Sequence, residues 1–185
     1  LTNDNAVRLL ANTIATGAGL FVLITSFANI SGAHLNPFVS LSMYLTKKIK
    51  GKELLTYVPA QILGCLLGVM LANVFFEHSI IELSTKNRDG FHIFLSEIVA
   101  TFGLIFIIFA TLKDGKTTVA ACVATYISAG YWFTSSTSFA NPAVAIARTF
   151  TDSFTGINYL NTPTYIFAEL LGAIAAVYII KRLIK

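Results

Sequence analysis

Charge is what this sequence has least of: 12% of its 185 residues are Asp, Glu, Lys or Arg, where a soluble domain carries about 25%. With 55% apolar residues and a mean hydropathy of +0.72, a soluble globular fold is excluded and a membrane protein is the reading that remains. Cysteine is almost missing too. Cys65 and Cys122 both fall inside apolar runs, with no CxxC and no Cys–His grouping, so each reads as a small hydrophobe and no disulfide framework or metal site is expected. There is no HExxH and no paired nucleophile and base, which excludes an enzyme; no cofactor is expected. The net charge of +4 sits at the ends of apolar runs, which fits membrane orientation and not a nucleic-acid partner. The chain does not open on Met and shows no leader pattern.

What is present is a set of long apolar runs. A hydrocarbon core about 30 Å thick needs about 20 apolar residues per helical span, and residues 7–28, 54–76, 91–112, 117–133 and 163–183 meet or approach that, the fourth being the shortest. The first carries Thr13, Thr16, Gly17, Gly19, Thr25 and Ser26, and the second the pair Gly64 and Gly68. Small residues of this kind are expected to let neighbouring helices approach closely.

Two stretches break the pattern alike: Ser31-Gly32-Ala33-His34-Leu35-Asn36-Pro37 and Ser138-Phe139-Ala140-Asn141-Pro142-Ala143-Val144. Their asparagines lie 105 positions apart (141 − 36). Asn is a favoured cap and Pro is pre-set for the first helical position, so residues 37–46 and 142–151 read as short helices. Ten residues cannot span a bilayer, which makes both re-entrant half-helices.

Lys47, Lys48, Lys50 and Lys52 follow the first half-helix, Lys113 and Lys116 close the third span, and Lys181, Arg182 and Lys185 close the last. These loops are assigned inside, while the acid-rich loop 77–90 is assigned outside, so the C-terminus is expected in the cytoplasm. The same alternation puts Leu1 outside, which suggests that an opening helix precedes it. Ala60-Gln61-Ile62-Leu63-Gly64 is echoed by Ala168-Glu169-Leu170-Leu171-Gly172. The single membrane domain 1–185 then divides into an incomplete first repeat (1–76), an external loop (77–90) and a second repeat (91–185).

An inverted repeat would bring both half-helix N-termini together near the midplane, where irregular backbone is tolerated only if buried in protein or lining a wet cavity. Each N-terminus carries roughly half a positive charge. Cations are therefore repelled, and uncharged solutes are the natural passengers. Asn36 and Asn141 would cap their helices through the side-chain oxygen and turn their amide donors into the lumen. Loop carbonyls from residues 32–34 and 137–139 would supply acceptors.

These residues resemble the aquaporin or major intrinsic protein family over the whole chain: the two Asn-Pro boxes, Glu97 in the helix that opens the second half, and Gln61 with Gly64 after the first half-helix. The run from Ser138 through Arg148 to Thr151-Asp152-Ser153-Phe154 and Gly156-Ile157 is similar to a bacterial branch associated with arsenic resistance. The resemblance implies an all-α, aquaporin-like inverted-repeat bundle, here five spanning helices plus two re-entrant half-helices, a homotetramer in a bacterial inner membrane, and lipid and small neutral solutes as partners. It implies a pore constriction at Asn36, Pro37, Asn141 and Pro142.

Family offsets place the selectivity filter at Thr16, Ala129, Ser138 and Val144. Val144 stands where members usually carry Arg. Such a wide, weakly polar ring suits glycerol, urea-like molecules and neutral metalloid acids such as arsenous acid, with water a further candidate. Gly32, Ala33, His34, Phe38, Glu97 and Arg148 complete the pore-lining or supporting set. Phe38, where the family usually has Ala, either narrows the midplane or packs against a helix. Arg148 either restores positive charge to the filter or forms a salt bridge or a helix-end contact. Glu97 either serves transport or holds loop carbonyls, and His34 either gates or is a satisfied loop histidine. Two other readings stay open: a coupled secondary transporter with broken helices, and a fragment that conducts nothing.

Overall fold

The computed structural model describes residues 3–183; Leu1 and Lys185, used in the orientation argument, lie outside the described residues. Seven α-helices run in the order α1 Asn5–Phe27, α2 Pro37–Leu45, α3 Gly51–Phe75, α4 Phe91–Thr111, α5 Lys116–Phe133, α6 Pro142–Ala147 and α7 Thr162–Leu183, with no strand among the described residues. α1 starts where the Asp4 carboxylate accepts from the Ala6 and Val7 amides at 2.8 and 3.1 Å. α3 starts where Glu53 reaches back to the Lys50 N–H at 2.8 Å, which satisfies amides that no helical carbonyl can reach. Between α4 and α5 a 3-10 turn, Leu112–Asp114, ends at Gly115, whose φ of +98° lets the chain reverse.

Among the described residues four helices are long and apolar enough to cross a membrane: α1, α3, α4 with its terminal turn, and α7. α5 has 18 residues, about 27 Å at 1.5 Å per residue, and is diluted by Thr117, Thr118, Thr125, Tyr126 and Ser128. The half-helices are shorter than expected. α2 ends at Leu45 with Thr46 as its cap, and α6 ends at Ala147, after which Arg148–Phe150 tightens into a 3-10 turn.

Burial is inverted relative to a soluble protein. Leu55, Leu63, Leu67 and Leu71 of α3 and Ile14 and Val22 of α1 face outward, while Ser40, Glu97, Thr101, Ser136 and Glu169 are fully enclosed. α4 packs along α7 and α5, and α5 packs along α1. Close approach of α4 and α7 depends on Gly172, where a Cβ would run into the Ile98 carbonyl and come within 3.0 Å of the Phe102 amide. Gly17 plays the same part between α1 and α5, opposite Ser128. Gly64 and Gly68, expected to mark a tight helix contact, meet nothing within 4 Å and lie on the exposed face of α3. The small-residue spacing there serves no contact within this chain.

Each half-helix packs on long helices of both halves, α2 against α3 and α7, and α6 against α3 and α7. This exchange places the two Asn-capped ends at one point inside the bundle. Loop 77–90 lies along the segment after α6. The Ser84 amide donates to Thr149 O at 2.9 Å, and the Arg88 side chain donates to Phe154 O and Gly156 O at 2.8 and 2.9 Å. The Thr85 amide, donating at 2.9 Å, holds the Asp152 carboxyl below the usual aspartate range.

Candidate functional site

The two half-helices are joined cap to cap. Asn36 Oδ1 accepts from the Phe38 amide at 2.8 Å and Asn141 Oδ1 from the Ala143 amide at 3.1 Å, so each caps its own helix. Each side-chain amide then crosses to the opposite loop. Asn36 Nδ2 donates to Ala140 O at 2.6 Å, and Asn141 Nδ2 donates to Leu35 O at 2.9 Å. A primary amide has two N–H donors; one is spent on this exchange and one remains. The expectation that both donors serve the lumen is thereby corrected, because half of the donor capacity locks the loops together. Pro37 and Pro142 are buried at the first helical positions and have no N–H to leave unpaired there.

The loops entering the caps share one backbone shape. Counting back from each asparagine, positions four, three and one before it are left-handed: Gly32 (φ 77°), Ala33 (48°) and Leu35 (51°) in the first loop, and Thr137 (65°), Ser138 (50°) and Ala140 (48°) in the second. A non-glycine residue pays about 1–2 kcal/mol for this region, so something must hold five such residues in place. In the second loop two fully buried glutamate side chains do so. Glu97 Oε1 and Oε2 accept from the Phe139 and Ala140 amides at 2.9 and 2.7 Å, and Glu169 Oε1 accepts from the Asn141 amide at 2.9 Å. Glu97 therefore grips loop amides, not the carbonyls anticipated for it.

Glu169 was not singled out from the sequence, although an acid inside an apolar span is a signal in itself. The first loop is held differently. His34 Nδ1 pairs with Ser40 Oγ at 3.0 Å, Gln61 Nε2 donates to the same hydroxyl at 3.0 Å, and Tyr57 OH donates to Ser31 O at 2.9 Å. His34 thus has one ring nitrogen held within the loop, and the residue also lines the cavity.

Beside the caps lies a cavity of about 200 Å3. Its wall includes Thr16, Gly32, Ala33, His34, Asn36, Ser138, Asn141, Val144 and Arg148, all expected there, together with Leu35, Phe139 and an apolar strip containing Val123, Ile127 and Val39. The carbonyl oxygens of Gly32, Ala33, His34, Ser138 and Phe139 accept no hydrogen bond from the described residues. They are unspent acceptors on residues that line a mostly apolar wall. Phe38 is on the core side, packed with Val39 and Met43, and is not part of the wall.

Ala129 is the clear departure from the expected filter. It is exposed on the outer face of α5, in line with Ala121 and Thr125, while the buried stripe Ala120, Ala124, Ile127 and Tyr131 faces inward. A helix repeats every 3.6 residues, so an offset of twelve from Asn141 lands on the wrong side. Tyr131 takes the place at the wall. Its hydroxyl lies 3.0 Å from Thr16 Oγ1 and 3.4 Å from Arg148 Nη2, and the Arg148 guanidinium sits over the Phe139 ring at 4.3 Å. The inward stripe on α5 was the available signal for Ile127 and Tyr131.

Among the described residues no group of three His, Cys, Asp or Glu side chains is placed to hold a metal ion. The wall has donors in Asn36, Asn141, Thr16 and Tyr131, acceptors in the loop carbonyls, and no carboxylate. A hydroxyl-bearing molecule in this space meets donors and acceptors on the same wall.

Comparison with known proteins agrees with this geometry. Residues 1–134 match the model of the family described as major intrinsic protein. The chain is 46% identical over 185 residues to an aquaglyceroporin, AqpS, of Rhizobium meliloti (strain 1021), covering all of this chain and 79% of that protein. It is 27% identical over 183 residues to aquaporin-4 of Rattus norvegicus, covering 94% of this chain and 56% of that one. A third relative, aquaporin TIP1-2 of Musa acuminata, is 37% identical over 123 residues, covering 63% of this chain and 48% of the plant protein. The chain thus spans about half the length of these last two.

Proposed function

Because the chain belongs to the major intrinsic protein family, whose members are passive channels and not enzymes, we propose that it conducts small uncharged solutes across a membrane through the cavity beside Asn36 and Asn141. It is a multi-pass membrane protein. The single observation carrying the reading is the wall itself: two bridged asparagine caps, unspent loop carbonyls and no carboxylate. A polyol such as glycerol can exchange its hydration for these acceptors on one side while its carbons run along Val123, Ile127 and Val144. A cation entering the same space finds two helix N-termini and no anion.

Neutral metalloid acids such as arsenous acid share the solute chemistry, as do urea and water. Thr16, Ser138, Val144 and Tyr131 form the filter of this reading, with Tyr131 in place of Ala129. A homotetramer in a bacterial inner membrane, with the basic ends of α3 and α7 toward the cytoplasm, completes it. A coupled transporter would need an ion site, and Glu97 and Glu169 are already engaged with loop amides. Stopped-flow light scattering of proteoliposomes against gradients of water, urea, glycerol, arsenous acid and a pentitol tests the proposal. Permeation of the first four with rejection of the pentitol is expected. Vesicles no leakier to any of them than empty liposomes would refute it and leave the non-conducting fragment.

A further inference from the structure

We propose that Arg148 supplies the cation barrier of the filter, one helical turn beyond Val144, with Tyr131 and Phe139 positioning its guanidinium; this rests on the channel reading above. Residues four apart share a helix face, and Val144 and Arg148 do line the same cavity. The two other roles open to Arg148 from the sequence are not the ones it takes. No Asp or Glu among the described residues lies within ion-pair distance of it. The end of α6 is capped by its backbone alone, the Arg148 N–H going to Ile146 O and Val144 O while its carbonyl accepts from Ile157 at 3.2 Å.

The side chain is thereby free to lie along the wall, where its partners are all neutral: the Tyr131 hydroxyl at 3.4 Å and the Phe139 ring at 4.3 Å. A guanidinium has five N–H donors and stays ionised, so its charge reaches the lumen without a counter-ion, and donors remain for a passing hydroxyl. Since Arg can only donate, Tyr131 accepts from it at 3.4 Å, which leaves the Tyr131 O–H to donate to Thr16 Oγ1, 3.0 Å away. In that order the chain Arg148 to Tyr131 to Thr16 holds the guanidinium against α5 and leaves the Thr16 hydroxyl proton as a donor. Val144 sets the width of the ring and Arg148 its charge; these two properties, carried by one side chain where the family has Arg at the Val144 position, are divided between two.

The test is the ratio of cation to glycerol permeability in proteoliposomes, read by sodium-sensitive and pH-sensitive dyes and by glycerol swelling. A unit charge in a site of effective dielectric about 20 changes monovalent cation entry by about a hundredfold. Arg148→Leu should raise the ratio by that order, Arg148→Lys should restore most of it, and Val144→Arg added to Arg148→Leu should restore it from one turn away. If the leucine variant fails to assemble, Arg148→Gln removes the charge while keeping a donor for Tyr131. A wild-type protein that passes no glycerol sinks the channel reading. Wild-type glycerol flux with Arg148→Leu or Arg148→Gln as tight to cations as wild type sinks this proposal alone, and so does loss of glycerol flux in both variants without any cation leak.

Discussion

Glu97→Gln changes one oxygen to an amide nitrogen, yet the geometry makes it costly. Glu97 accepts two amides at once, Phe139 at 2.9 Å and Ala140 at 2.7 Å, in a site with no exposure to solvent. A glutamine there accepts one of them and points an NH2 group at the other. Losing a charge-assisted bond and stranding a buried N–H costs about 2–4 kcal/mol. The loop it restrains is strained at Thr137, Ser138 and Ala140, so the released segment has a reason to relax. For a chain of this length, a midpoint shift of about 2–4 °C per kcal/mol gives a fall of about 4–16 °C. Glu169 has a single amide partner, Asn141, and a glutamine oxygen there can keep that bond, so the effect of Glu169→Gln should be less than half as large. Thermal unfolding in detergent, followed by far-ultraviolet circular dichroism, measures both. Equal midpoints for Glu97→Gln and wild type, or a larger fall for Glu169→Gln, would refute the clamp.

Gly172→Leu should separate α4 from α7, because even a Cβ meets the Ile98 carbonyl and the Phe102 amide; a loss of about 1–3 kcal/mol is expected, seen as a lower unfolding midpoint, whereas Gly64→Leu on the open face of α3 should leave it within about 0.5 kcal/mol. Ile127→Trp should cut glycerol flux by about tenfold or more by narrowing the wall, while Ala129→Trp, outside the cavity, should leave flux near wild type; the reverse order would restore Ala129 to the filter. The Thr85 amide keeps the Asp152 carboxyl below its ordinary range, so the contact adds stability above the unfolded pKa of about 4 and loses it as pH falls through the lower folded value. Unfolding midpoints between pH 6 and pH 2 should therefore fall more steeply in wild type than in Asp152→Asn.

Much of the fold was legible because the bilayer imposes length and because Asn-Pro is a strong cap signal. The spans, the half-helices and the encounter of Asn36 with Asn141 follow from those two facts and the repeat. The details that were not legible depend on helix phase and on partners distant in the chain. Ala129 follows from counting back from Asn141, but the phase of α5 is set by the buried stripe ending at Ile127 and Tyr131, so the count crosses an irregular loop and loses register. Gly64 and Gly68 have the spacing of a helix contact, and the contact is made at Gly172 and Gly17 instead; spacing does not say which face meets a neighbour. Arg148 was placed in the pore-lining or supporting set with its role left open, since the choice between a filter charge and a salt bridge turns on whether an acid lies nearby in space. The direction of the Asn amides is similar: capping is local and was foreseen, while the bonds to Ala140 O and Leu35 O join residues 104 and 106 apart.

The central claim is passive passage of neutral solutes past the paired asparagines. Glycerol flux into proteoliposomes, measured from low to high glycerol concentration with and without an imposed proton gradient, tests it most directly. The account predicts a flux that rises linearly with concentration, is indifferent to the gradient, and collapses when Asn36 and Asn141 are both replaced by Leu. Saturation at high glycerol, or acceleration by the gradient, would contradict it.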